Sequence, residues 1–245
     1  MSERFARLPW GTLVNMLTVS IGSLIGLHLQ KVFPPNIEAI VFQAIGLGTL
    51  VLGIIMSLKV PEGYLLNFIF SLILGGIIGE LLGLQTALQS LGDSLQASLG
   101  LSGGQFTEGL VTAFILFCIG SMTLVGAIEE GLKGKRDLLY IKSTLDGISS
   151  IAFASTYGIG VWFSIFPMLI LQGGVTLLAR SLQHFFTETM IAQLSAVGGA
   201  LIIGIGINLL KIGQINIENL LPALVVTVSL TWGQQWVQCR KNVTT

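Results

Sequence analysis

Apolar runs of about the length that a membrane crossing requires recur along the chain, separated by short polar or basic breaks. A helix suits such runs because it satisfies its own backbone hydrogen bonds where lipid cannot. The pattern predicts crossings near residues 12–29, 39–58, 64–83, 109–128, 145–159, 160–179, 191–210 and 220–237. The fifth run is short and rich in small polar residues, from Asp146 through Ser149, Ser150, Ser155 and Thr156 to Gly158. It reads either as a full crossing or as a helix that enters and turns back, which gives an all-α polytopic protein of seven to eight transmembrane helices. From Leu84 to Gly104, Leu88, Leu91 and Leu95 are spaced helically among Gln and Ser, predicting an amphipathic helix at the outer surface.

Basic residues choose between the two counts, because Lys and Arg accumulate in cytoplasmic loops. Eight crossings with a cytoplasmic N-terminus leave only Lys31 and Lys211 outside and place Arg4, Arg7, Lys59, Lys133, Lys135, Arg136, Lys142, Arg180, Arg240 and Lys241 inside. No small-residue cleavage site follows the opening basic residues, so the first run is expected to be a retained span. The stretch Gln43–Lys59 aligns without a gap on Ser195–Lys211, and the register continues from Asn67 onto Asn219. The expected organisation is therefore one transmembrane domain: a three-helix repeat over 10–83, central helices over 106–159, and a second repeat over 160–237. Eight crossings make the repeats inverted, and seven make them parallel.

Composition agrees with this class. Only 10% of the 245 residues are charged and 52% are apolar, against about 25% charged in a typical soluble protein. Twelve basic and twelve acidic residues leave no net charge and no compositional case for nucleic acid. Two cysteines make no disulfide framework.

The candidate chemistry lies in the few polar groups inside apolar runs. Glu80 is the single acid of a glycine-lined run and stands near its end, so it is expected either at a cavity or in interfacial water. Asp146 follows Ser143-Thr-Leu in a helix-start pattern, with Lys142 four residues earlier on the same face; it reads as a cap, or as the start of a hydroxyl row at Ser149, Ser150, Ser155 and Thr156. Asn15, Gln43, Gln172 and Asn208 are uncharged polar groups that ordinarily bond neighbouring helices. The stretches Cys118-Ile-Gly120 and Ala154–Gly160 are the places where a helix is expected to unwind toward a solute. Cys118 also reads as a buried packing thiol, His28 and His184 as interfacial groups, and Glu129-Glu130 with the following basic residues as a cytoplasmic loop. Glycines spaced four apart, such as Gly22 and Gly26, predict close helix packing, within the chain or in a homo-oligomer. No nucleotide-binding loop, His-Glu-x-x-His helix or Gly-x-Ser-x-Gly elbow is present, so neither a cofactor nor an enzyme of those types is expected, and no metal-ligand set is apparent.

A set of short motifs is distributed along nearly the whole chain: Gly11-Thr-Leu-Val-Asn15, Gln43-Ala-Ile-Gly-Leu47, Gly79-Glu80, Gly109-Leu-Val-Thr-Ala113 and Phe117-Cys-Ile-Gly120. It continues through Lys142-Ser-Thr-Leu-Asp-Gly147, Phe153-Ala-Ser-Thr156, Gln172-Gly173, Ala196-Val-Gly-Gly199, Gly204-Ile-Gly-Ile-Asn208 and Asn219-Leu-Leu-Pro222. In these motifs the chain resembles the bacterial membrane family DUF554. The resemblance implies a polytopic protein of the bacterial inner membrane and brings no established activity with it. The functional expectation is a secondary transporter or channel for an ion or small solute, whose path would gather Asn15, Glu80, Cys118, Gly120, Asp146, Ser155, Thr156, Gln172 and Asn208. The rivals are a non-catalytic subunit of a larger membrane complex, and an embedded enzyme using Glu80 or Asp146 as acid or base.

Overall fold

The computed structural model describes residues 8–32, 34–98, 105–118, 121–182 and 186–243, and every regular element among them is helical. In chain order these are α1 (Trp10–Val32), α2 (Pro35–Ser57), α3 (Leu65–Leu81), α4 (Leu84–Ser98), α5 (Phe106–Cys118), α6 (Ser121–Lys133) and α7 (Asp137–Tyr157). A segmented run follows: α8 (Gly160–Phe163), α9 (Ile165–Met168), a π turn (Leu169–Gly173), α10 (Gly174–Leu177) and α11 (Ala179–Leu182). Then come α12 (Glu188–Leu209), the short α13 (Ile217–Leu220) and α14 (Ala223–Val243).

Local chemistry sets several of these boundaries. Pro35 opens α2, where its missing N–H costs nothing. The Thr187 hydroxyl accepts from the Met190 N–H (3.2 Å) and caps α12. Gly158, at φ +75°, closes α7 in a conformation that side chains resist. Pro167 lies inside α9 and cannot donate to the preceding turn, in keeping with the segmentation there.

Among the described residues, three helices are long and apolar enough to cross a membrane: Trp10–Gln30, Gly160–Leu177 and Glu188–Leu209. The number rises to five if each of two bent pairs is one span: Leu65–Leu81 with Leu84–Ser90, bent by 56°, and Phe106–Cys118 with Met122–Lys133, bent by 58°. The fourth expected run is thus two helices rather than one straight rod. The fifth begins at Asp137, earlier than expected, and fills a 21-residue helix that has the length of a crossing but carries Lys142 and Asp146. Large apolar side chains stand exposed on α3 (Leu66, Phe70, Ile73) and on the segmented run (Ile170), as surfaces facing lipid do.

Backbones approach closely at glycines and fix how the helices pair. Gly11 meets Leu139, Gly147 meets Thr18, and Gly26 meets Ile151 and Ala154, so α1 and α7 run side by side in the same direction. Gly46 meets Leu209 and Leu210, Gly206 meets Leu50, and Gly199 meets Met56 and Ser57, so α2 and α12 run in opposite directions. Gly75 against Ala223 and Gly79 against Asn219 set α3 antiparallel to the α13–α14 segment. Where lipid is as apolar as the side chains, contacts at this range supply much of the association energy. The central core holds Phe117, Phe153, Tyr157, Met168 and Leu201.

Candidate functional site

Lys142 and Asp146 form an ion pair one turn apart in the middle of α7, with only 5% and 7% of their surfaces exposed. The helix already runs from Asp137, so the expected cap at Ser143–Asp146 does not form; Ser143 instead donates to the Leu139 carbonyl (2.7 Å). Lys142, expected in a cytoplasmic loop, is buried beside the Phe117 ring, with Nζ 6.0 Å from its centroid. From α1, the Asn15 amide donates to Asp146 Oδ2 (2.9 Å) and to Gln172 Oε1 (3.1 Å). Gln172 sits in the π turn, a widened turn that redirects the side chains it carries. Asn15 and Gln172 are both 0% exposed. Three elements distant in sequence therefore converge on one charged pair.

The cluster is only partly satisfied. Asn15 Oδ1, Gln172 Nε2 and Thr12 Oγ1 are buried with no hydrogen-bond partner among the described residues. Each such atom costs about 1–3 kcal/mol if nothing meets it, and together they can accept and donate one hydrogen bond each or more. Lys142 and Asp146 also line a cleft of about 430 Å³ with Ser149, Thr49, Met56 and Phe117, reaching Lys59.

A second, larger cavity of about 630 Å³ lies at the other end of α7, where Tyr157 meets Thr112 and Glu108 of α5 and Glu218 of α13. Asn208 lines it, but its amide is committed: it donates to the Ile215 carbonyl and accepts from the Ile215 N–H, both at 2.8 Å, closing the loop after α12.

The remaining expected site residues lie apart from the ion pair. Glu80 is exposed and accepts from the Asn219 amide (2.7 Å), and Asn219 in turn accepts from the Gln85 N–H (2.8 Å); this is a clasp between α3, α4 and α13. Glu80 and Asp146 thus belong to separate networks. Cys118 ends α5 inside the core, next to Phe117. Gly120 lies outside the described residues, although the chain does bend between α5 and α6, where the Thr123 hydroxyl donates to the Phe117 carbonyl (3.1 Å). Within the expected stretch Ala154–Gly160 the helix runs to Tyr157 and breaks at Gly158; Ser155 donates to its own helix at Ala152, and Thr156 Oγ1 is buried without a partner among the described residues.

Sequence reasoning missed Lys142, although its spacing from Asp146 was the signal. It also missed Glu130, read as part of a loop. Glu130 is buried, accepts from the Gly11 N–H at the start of α1 (3.0 and 3.2 Å) and pairs with Arg136 (2.9 Å). A carboxylate at a helix N-terminus is favoured by the helix dipole and by the free N–H groups there.

A family model described as Protein of unknown function (DUF554) matches residues 10–232. The chain is 33% identical over 219 residues to the uncharacterized membrane protein YdfK of Bacillus subtilis (strain 168), covering 89% of this chain and 93% of that one. It is 29% identical over 224 residues to the uncharacterized protein YqgA of Escherichia coli (strain K12), covering 90% and 95%. No solved structure matches.

Proposed function

This chain belongs to the DUF554 family, and from that premise we propose that it is a secondary transporter or channel carrying an ion or small solute across the bacterial inner membrane, with the Asn15, Lys142, Asp146 and Gln172 cluster on its path. The observation that carries the proposal is the buried Lys142–Asp146 pair at mid-helix, open to a cleft. Charges inside a span are costly and by default mark a path, a cavity or a partner. A permeant cation can take the place of the Lys142 ammonium at Asp146, and a permeant anion that of the carboxylate. Either exchange keeps the buried charge balanced, which a lone ion at that depth would not. The unmet atoms of Asn15, Gln172 and Thr12 supply hydrogen bonds beside it. In this proposal no residue has a catalytic role.

The accompanying architecture is a single domain of eight crossings with a cytoplasmic N-terminus and inverted repeats over 10–83 and 160–237. Helix directions support it. α1 and α7 run the same way, while α2 and its sequence counterpart α12 run oppositely. The contact between α2 and α12 is reciprocal to within one residue: Gly46 meets Leu209, and Gly199 meets Ser57, whose counterpart is Leu209. Glu130 holds the end of α6 against the start of α1, gathering Lys133, Lys135 and Arg136 at the end of the bundle where α1 begins. Repeats inverted in this way transport by rocking about a site between them.

The test is flux into liposomes holding the purified protein, with proton, sodium, potassium and calcium gradients imposed in turn. Flux above empty liposomes that falls at least tenfold in Asp146→Asn is the expected result. Flux indifferent to Asp146→Asn would remove the cluster from the path, and no flux under any gradient would favour a subunit role.

A further inference from the structure

The cavity beside Tyr157, at the C-terminal end of α7, holds two carboxylates that form no ion pair among the described residues. Glu218 is 8% exposed and, among the described residues, its carboxylate makes no hydrogen bond or ion pair; only its backbone carbonyl accepts, from the Leu221 N–H. Glu108, exposed on the first turn of α5, is close enough for the two charges to repel. Lys211 is the one basic residue of the described lining, and it stands exposed at the rim without an ion pair. The rest of the polar lining is hydroxyl and amide, including Thr112, Tyr157 and Gln105. Two carboxylates facing one cavity attract a counter-charge, and a cation between them relieves their repulsion.

We propose that the Glu108–Glu218 cavity binds a hydrated divalent cation. Charge argues for the valence, because two carboxylates present two negative charges. Donor type argues for a hard ion, because the polar lining offers oxygen and amide groups and neither a thiol nor an imidazole. Size argues for hydration, because about 630 Å³ far exceeds a bare ion, and magnesium-like ions keep several waters while leaning on one or two carboxylates. The proposal goes beyond the transport assignment and stands without it, since the Lys142–Asp146 cleft has no lining residue in common with this cavity.

Calorimetric titration of the purified full chain with magnesium and with calcium, in potassium chloride, tests it. Saturable binding of at least one of the two is expected, weakened at least tenfold in Glu218→Gln and in Glu108→Gln, tightened two- to threefold in Lys211→Ala, and unchanged in Asp146→Asn. Glu108 is exposed, so its variant keeps the test open if Glu218→Gln does not fold. No saturable binding to wild type, or binding that shifts by less than twofold in both glutamate variants, would overturn the proposal. Loss of binding in Asp146→Asn alone would overturn it too, by moving the ion to the other cleft.

Discussion

The two cavities have no lining residue in common and differ in charge. Met56 and Lys59 of the α2 region line the first, and Asn208 and Lys211, which align with them in sequence, line the second. The helices between these segments make the difference. α7 contributes Lys142 and Asp146 to one end, already paired among largely apolar side chains, while α5 contributes Glu108 to the other, facing Glu218 among polar ones. Segments that align in sequence can therefore border two recesses whose chemistry is set by the helices between them. One recess carries compensated charge, and the other carries charge that awaits a partner.

That contrast has opposite consequences on mutation. The largest effect is expected for Lys142→Ala, which leaves Asp146 buried without its ammonium and should cost about 3–5 kcal/mol of stability. Thermal unfolding in detergent measures it. Adding Asp146→Leu to Lys142→Met should recover most of the loss, because a well-packed apolar pair replaces a buried ion pair at little cost. The α2–α12 contact comes next. Gly53 packs on Gly199 and Ile203 with no space for a side chain, so Gly53→Val should cost about 1–3 kcal/mol. Removing a charge at the other end should do the reverse of Lys142→Ala: Glu218→Gln without divalent ions should raise stability by about 1 kcal/mol by relieving repulsion. A large loss there would show that Glu218 is paired after all. Glu80→Gln is the smallest change, within about 0.5 kcal/mol, because the group is exposed and a neutral amide still accepts from Asn219.

The all-helical architecture with several apolar helices was legible because lipid imposes long apolar runs. Asn15, Asp146 and Gln172 stood out singly as polar groups in such runs. Their meeting did not, since Asn15 reaches across 131 residues to Asp146 and 157 to Gln172. Ser143–Asp146 resembles a helix start only when its context is hidden; Gly134 breaks the chain earlier, and the helix is under way by Asp137. Glu80 carried two readings, a cavity or interfacial water, because an acid within an apolar run is buried only if its face of the helix is covered; that of Glu80 is exposed. Glu108 and Glu218 gave no signal, because an acid in a first helical turn is an ordinary dipole partner.

The most direct measurement compares Asp146→Asn with Glu80→Gln for flux in the same liposome preparation, under whichever gradient drives the wild type. Flux reduced at least tenfold by Asp146→Asn and less than twofold by Glu80→Gln is expected if the buried pair lies on the path. The opposite ranking would contradict it and move the path to the Glu80–Asn219 clasp.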